Sequence, residues 1–116
     1  MNFIPHQLAP GTLVAEIEAE GIVMGSLEEA LQVLGDAYYN GFDRVMVRVE
    51  QLNPDFFDLS TGLAGEILQK FAQYRMGLII VGDFSQFPSA SLAGFIRESN
   101  KGQHIRFVAS LEEGLK

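Results

Sequence analysis

The sequence predicts one α/β domain, residues 1–116, built on a mixed, partly parallel sheet of five to six strands with helices mainly on one face. Three observations carry that prediction. Apolar residues recur at helical spacing in some segments and at every second position in others. The two kinds of segment take turns along the chain, which is the order that makes crossover helices and parallel strands. Three of the strand segments carry charge on one side only, whereas a sheet covered on both faces has strands apolar on both sides.

The strands follow from alternation. Thr12 to Glu18 places Leu13, Ala15 and Ile17 on one side and Glu16 and Glu18 on the other. Val45, Val47 and Val49 oppose Met46, Arg48 and Glu50, and Ile105 and Phe107 oppose Arg106. Leu78-Ile79-Ile80-Val81 is apolar throughout and reads as a central strand. Ile22 to Met24 reads as one more short strand, paired through Gly21. The charged residues Glu16, Glu18, Arg48, Glu50 and Arg106 are expected to face solvent on the side without helices. Opposite signs there pair across strands for roughly a few tenths of a kcal/mol each.

The helices follow from caps and stripes. Ser-Leu-Glu-Glu occurs at 26–29 and again at 110–113, and each copy has the spacing at which a serine hydroxyl and a glutamate satisfy the free amides of a helix start. After the first copy, Leu27, Ala30, Leu31, Leu34 and Tyr38 predict a helix over about Ser26 to Asn40, stopped by Asn40-Gly41. Leu63, Ala64, Ile67, Leu68, Phe71 and Tyr74 predict a second, ending at Met76-Gly77. Leu92, Phe95 and Ile96 predict a third between Pro88-Ser89 and Lys101-Gly102, and a last turn or two follows Ser110.

Composition narrows the function classes. At 116 residues the chain is long enough to bury roughly two-thirds of the surface its unfolded form exposes. It has no cysteine, which removes disulfides, cysteine-ligated zinc and thiol catalysis together. Fifteen acidic residues against eight basic ones leave a charge of −7, and no basic run is present, so nucleic acid and anionic membranes are not expected partners. No apolar run approaches the length of a membrane span, and the start of the chain has no basic segment leading into an apolar one, so a cytoplasmic location is expected. No motif asks for a cofactor, and none is expected.

Candidate chemistry collects in two loops at the carboxyl ends of predicted parallel strands, where ligands meet open α/β sheets. One loop is Gln51 to Asp58, leading through Leu59-Ser60-Thr61-Gly62 into the second helix; the other is Gly82 to Pro88. If the preceding strands are neighbours, Asp58, Ser60, Thr61, Asp83 and Ser85 share one rim. Phe56, Phe57, Phe84 and Phe87 lie in the same loops, either turned inward to plug the end of the sheet or exposed as a sticky contact surface.

The stretch from Asp43 to Asp83 resembles the central part of a STAS domain, the fold of bacterial anti-sigma-factor antagonists. The residues that carry the resemblance are Phe57-Asp58, Ser60-Thr61-Gly62-Leu63, the amphipathic helix after them and Leu78-Ile79-Ile80-Val81-Gly82. That family typically has Asp-Ser-Ser-Gly-Leu at this helix start, and Leu59 is an extra residue between acid and hydroxyls. Aligned from the glycine, the resemblance makes Thr61 the phosphoacceptor; aligned from the aspartate, Ser60; in either case Asp58 is the neighbouring acid. Most of the chain also resembles a group of short bacterial proteins known only as a domain of unknown function. The shared stretches are Asp55-Phe-Phe-Asp-Leu59, Gly62-Leu-Ala-Gly-Glu66 and Val81-Gly-Asp-Phe-Ser85.

The first resemblance implies a small non-catalytic regulatory or adaptor module that binds a protein partner and is switched by phosphorylation at the start of the second helix. A phosphate there gains from free amides and the helix dipole, and it brings almost two negative charges beside Asp58. Read without it, Ser60 or Thr61 caps the second helix. The alternative activity is a small enzyme, with Asp55, Asp58 and Asp83 holding a divalent metal, or Asp58 and Asp83 dividing acid and base roles. Against it, neither loop contains Lys or Arg to receive a phosphorylated substrate. His6 and His104, far apart in sequence, read as surface or strand-end residues. The polar sheet face is compatible with self-association into a homo-oligomer.

Overall fold

The computed structural model describes residues 2–116. Its elements are β1 (Asn2–Ala9), β2 (Thr12–Glu18), α1 (Leu27–Tyr39), β3 (Arg44–Arg48), α2 (Leu63–Gln73), β4 (Gly77–Val81), α3 (Ala90–Ser99), β5 (Ile105–Val108) and α4 (Leu111–Gly114). Short 3-10 turns lie at Val49–Gln51, Pro54–Phe57, Leu59–Thr61 and Phe84–Gln86. The five strands lie side by side in chain order. β1 is antiparallel to β2, and β2 to β5 are mutually parallel.

That order dictates the layers. Each step from β2 to β5 moves one strand in the same direction, and a right-handed crossover then places its helix on the same face every time. α1, α2 and α3 accordingly pack with Ile17, Val45, Val47, Leu78, Ile80 and Phe107 in one cluster. Burying each such side chain contributes roughly 1.5–3 kcal/mol. α4 follows the last strand, has no crossover to make, and settles on the other face against Val14, Met46, Ile79 and Val108 through Leu111 and Leu115. Among the described residues, no helix is long and apolar enough to cross a membrane.

Several sequence expectations are corrected. β1 has no counterpart in the pattern, because Pro5 interrupts a segment that would otherwise read as strand; the proline is tolerated because β1 is an edge strand paired only to β2. Ile22 to Met24 forms no strand, and Met24 makes a single parallel bridge to Leu52. Both Ser-Leu-Glu-Glu copies do start helices: the hydroxyls of Ser26 and Ser110 each accept the amide three residues on, at 3.1 Å. α2 ends at Gln73 with Tyr74 as its C-cap, and Arg75 turns left-handed at a φ of 55°, ahead of the expected end at Met76-Gly77.

The second sheet face is only partly the solvent face expected. Glu16 is 14% exposed, hydrogen-bonded to His6 at 2.7 Å, and 3.9 Å from Arg48, which also reaches Glu50 at 3.4 Å. Arg106 lies half-buried under the end of α4, where its guanidinium donates to the carbonyl oxygens of Glu113 (3.1 Å) and Gly114 (3.3 Å). It answers the free carbonyls of a helix terminus. Half of this face is therefore apolar and covered, and half carries an ionic network.

Candidate functional site

β3 and β4 are adjacent, with Arg48 opposite Val81 at their carboxyl ends, so the two candidate loops leave the sheet side by side. Each makes the same local structure. Asp58 caps the turn Leu59–Thr61, accepting the Ser60 amide at 3.1 Å and the Ser60 hydroxyl at 2.6 Å. Asp83 caps the turn Phe84–Gln86, accepting the Ser85 amide at 3.0 Å and the Ser85 hydroxyl at 2.6 Å. The repeat Asp-x-Ser is the reason: a short acid side chain folds back onto the backbone two residues ahead, and the serine adds a second donor to the same oxygen. The Ser85 hydroxyl and then the Ser85 amide hold the Asp83 carboxyl below its ordinary range.

Ser60 and Thr61 are both exposed. The Thr61 hydroxyl is turned inward along the backbone, 2.8 Å from the Asp55 carbonyl oxygen and 2.9 Å from that of Asp58, and it accepts the Leu63 amide at 3.2 Å. Ser60 is held through Asp58 alone. Neither is the cap residue of α2. That position is Gly62, at a φ of 80° with no side-chain cap bond; Ser60 serves the 3-10 turn before the helix, and Thr61 alone reaches α2, by accepting the amide of its first residue, Leu63.

The aromatic residues divide. Phe56 and Phe57 are core, 1% and 4% exposed, which corrects the reading of these two as a surface that a partner touches directly. Phe84 and Phe87 are half-buried at the rim. The Phe57 and Phe87 rings stack at 4.5 Å with 9° between their planes, and Phe84 stands edge-on to Phe107 at 5.3 Å. The four rings plug the end of the sheet because an open end would leave the core beneath α2 and α3 wet.

Two grooves run beside the stacked pair. One, of about 410 Å³, is lined by Ile22, Leu52, Phe57, Gln86 and Phe87 among others. The other, of about 230 Å³, lies between Phe57-Asp58-Leu59 and Phe87-Pro88-Ser89. Asp58 is thus drawn to the loop after β4, but no hydrogen bond joins the two aspartate turns among the described residues. No group of three metal-ligating side chains, Asp55, Asp58 and Asp83 included, lies close enough together to hold an ion among the described residues. Each carboxylate accepts both donors of its own turn through one oxygen, Oδ1.

Sequence reasoning missed Gln51, the buried polar residue of the loop after β3. Its side-chain oxygen accepts the Arg48 amide at 2.8 Å, its side-chain nitrogen donates to Ala19 O at 2.9 Å, and its own carbonyl accepts the Val23 amide at 2.8 Å. It pins the exits of β2 and β3 together at the base of the rim. Nothing in the local sequence distinguishes it from a surface glutamine.

Residues 10–116 match the domain of unknown function DUF4180, and the chain belongs to that family. No curated protein and no solved structure matches it.

Proposed function

We propose that this member of the DUF4180 family is a non-catalytic adaptor that docks a protein partner on the grooved rim around Phe57 and Phe87 and is switched by phosphorylation of Ser60. The observation that carries the reading is the setting of Ser60: an exposed hydroxyl on a short turn, 2.6 Å from a carboxylate, beside a groove lined by the stacked rings of buried Phe57 and half-buried Phe87. The resemblance to STAS domains left Ser60 and Thr61 open. The three backbone contacts of the Thr61 hydroxyl favour Ser60 as the group free to be modified.

The physical logic is electrostatic. The Ser60 hydroxyl now donates its proton to Asp58. A phosphate ester has no such proton and carries nearly two negative charges, so it repels the same carboxylate and opens the turn that borders the groove. A rim that fits a partner in the unmodified state is then reshaped. An adaptor of this kind needs only surface, charge and one reachable hydroxyl.

Affinity capture from the native host, with the wild-type chain and Ser60→Glu side by side, tests the proposal, together with intact-mass measurement of the endogenous protein. The expected result is a specific protein held by the wild type and lost by Ser60→Glu, with a phosphoryl adduct mapped to Ser60. Identical captures by both chains and a uniformly unmodified endogenous protein would overturn it.

A further inference from the structure

A second site lies at the other end of the sheet, where the parallel strands begin. Arg44 and Gly77 are register partners across β3 and β4, and Leu78 pairs with Ile105, so His104 falls beside Gly77. Arg44, Gly77 and His104 thus form one row on the sheet. Gly77 lets the row close up: a Cβ there would come within 2.8 Å of Arg44 Cγ, so the arginine stem lies across bare backbone. Arg75 enters from the end of α2; it is the single non-glycine residue at positive φ among those described. These side chains, with Asp43 and Gln103, line a pocket of about 350 Å³, inside the range of roughly 300–1,000 Å³ usual for small-molecule sites.

Two guanidinium groups, those of Arg44 and Arg75, outnumber the single carboxylate, Asp43, in the lining of this pocket. Although the chain is acidic overall, neither Arg44 nor Arg75 forms an ion pair among the described residues. Asp43, the carboxylate on the pocket, accepts the Leu13 amide at 2.8 Å. Arg44 Nη1 and His104 Nε2 are both buried without a hydrogen-bond partner. Buried polar groups without partners are costly, and in native folds they mark places where something else completes the bonding.

The geometry points to a binding site for a phosphate group in this pocket, gripped by the guanidinium groups of Arg44 and Arg75 and by His104. Guanidinium forks match the oxygens of phosphates and carboxylates. A tetrahedral anion is preferred because three groups converge on a concave site, and a planar carboxylate has two oxygens to offer them. Burial first, and then the charge of Arg44, lower the affinity of His104 for a proton. A bound dianion reverses the second cause and draws a proton onto the ring; Arg44, Arg75 and Asp43 are the charged groups lining the pocket with it.

The test is a titration of the isotopically labelled full chain with inorganic phosphate at constant ionic strength, followed by magnetic resonance, with acetate as a parallel arm and glycerol phosphate as another. Saturable shifts are expected at Arg75, Gly77 and His104 with both phosphates and not with acetate. Arg75 is exposed, so Arg75→Gln is expected to fold as the wild type does, and it should weaken phosphate binding by roughly tenfold or more. Arg44→Gln should do the same, and phosphate should raise the pKa of His104 in the wild type. Tighter binding of glycerol phosphate than of the free ion identifies an ester as the ligand; the reverse order identifies the ion. The absence of saturable shifts, their reproduction by acetate, or an unchanged affinity in Arg75→Gln would overturn the assignment.

Discussion

The Ser60 hydroxyl and the Asp58 carboxylate lie 2.6 Å apart, and the same carboxylate also accepts the Ser60 amide. One acid therefore holds both the backbone and the side chain of the residue proposed as the switch. Ser60→Ala removes only the hydroxyl bond and is expected to cost about 1 kcal/mol or less. Ser60→Glu sets like charges together and should lower the melting temperature further than Ser60→Ala. Adding Asp58→Asn to Ser60→Glu should restore part of that loss, and thermal melts of the wild type, Ser60→Glu, Asp58→Asn and the double variant give the comparison as a double-mutant cycle.

The stacked pair at the rim yields a stability contrast. Phe57 is 4% exposed and stacks on Phe87, which is half-buried. Phe57→Ala is expected to destabilise by about 3–5 kcal/mol, as loss of a core ring does. Phe87→Ala should cost clearly less, because solvent already reaches one side of its ring. Urea unfolding of the two variants measures the difference; equal costs would mean that the rim is as well packed as the core.

Gln51 ties together three stretches of chain with both ends of its amide and its own carbonyl. Gln51→Ala leaves the part-buried Arg48 amide without its partner, at about 1–3 kcal/mol, while the Ala19 carbonyl keeps its bond from Arg48 Nη2 at 3.2 Å. Gln51→Glu should be worse at neutral pH, since a carboxylate would replace the amide nitrogen that faces Ala19 O at 2.9 Å. Its deficit relative to Gln51→Ala should shrink in acid. Urea melts at two pH values check both statements.

Two titrating groups predict the shape of the acid limb. His104 has its pKa lowered from the ordinary 6.5 by burial and by Arg44, so between the folded and unfolded values the unfolded chain binds more protons. Stability from this group is full above 6.5 and falls as the pH drops below it. Asp83 has its pKa lowered from 3.8 by its bonds to Ser85, so its contribution is present above 3.8 and is lost as the pH falls toward the lower folded value. His104→Gln should flatten the first decline and Asp83→Asn the second, read from melting temperature against pH. Asp83 is fully exposed, so its step should be the shallower.

Gly82 separates β4 from its aspartate turn and admits no side chain. A Cβ there would lie 2.7 Å from Val49 Cβ and 2.9 Å from Val49 Cγ2. The obstacle is the stem of a β-branched residue, which does not swing aside. Gly82→Ala is expected to cost about 1–3 kcal/mol by overpacking, and Gly82→Ala with Val49→Ala should recover part of it. Denaturant melts of the single and double variants decide the point.

Much of the fold is legible in the residues because the signals are local. β2 has the bounds its alternation implies, and the paired Ser-Leu-Glu-Glu stretches begin α1 and α4 through hydroxyl-to-amide bonds three residues long. The charged strand sides implied helices mainly on one face. β1 escaped detection because Pro5 mimics a strand breaker, and only its place at the edge of the sheet makes it harmless. α4 was visible as a helix start, but its seat on the far face depends on Gly114 lying against Ile79 and Met46, contacts far removed in sequence.

The sites divide along the same line. The amino-acid order by itself determined that two Asp-x-Ser turns would follow two parallel strands, since an acid bonding two residues ahead needs no distant partner. The tertiary structure decided what those turns border: that Phe56 and Phe57 turn into the core, that Thr61 spends its hydroxyl on the backbone, and that Arg44, Arg75 and His104 converge. Side chains 31 and 29 positions apart meet only when strands pair in register, and register is set by the whole buried face of the sheet rather than by any one stretch of chain.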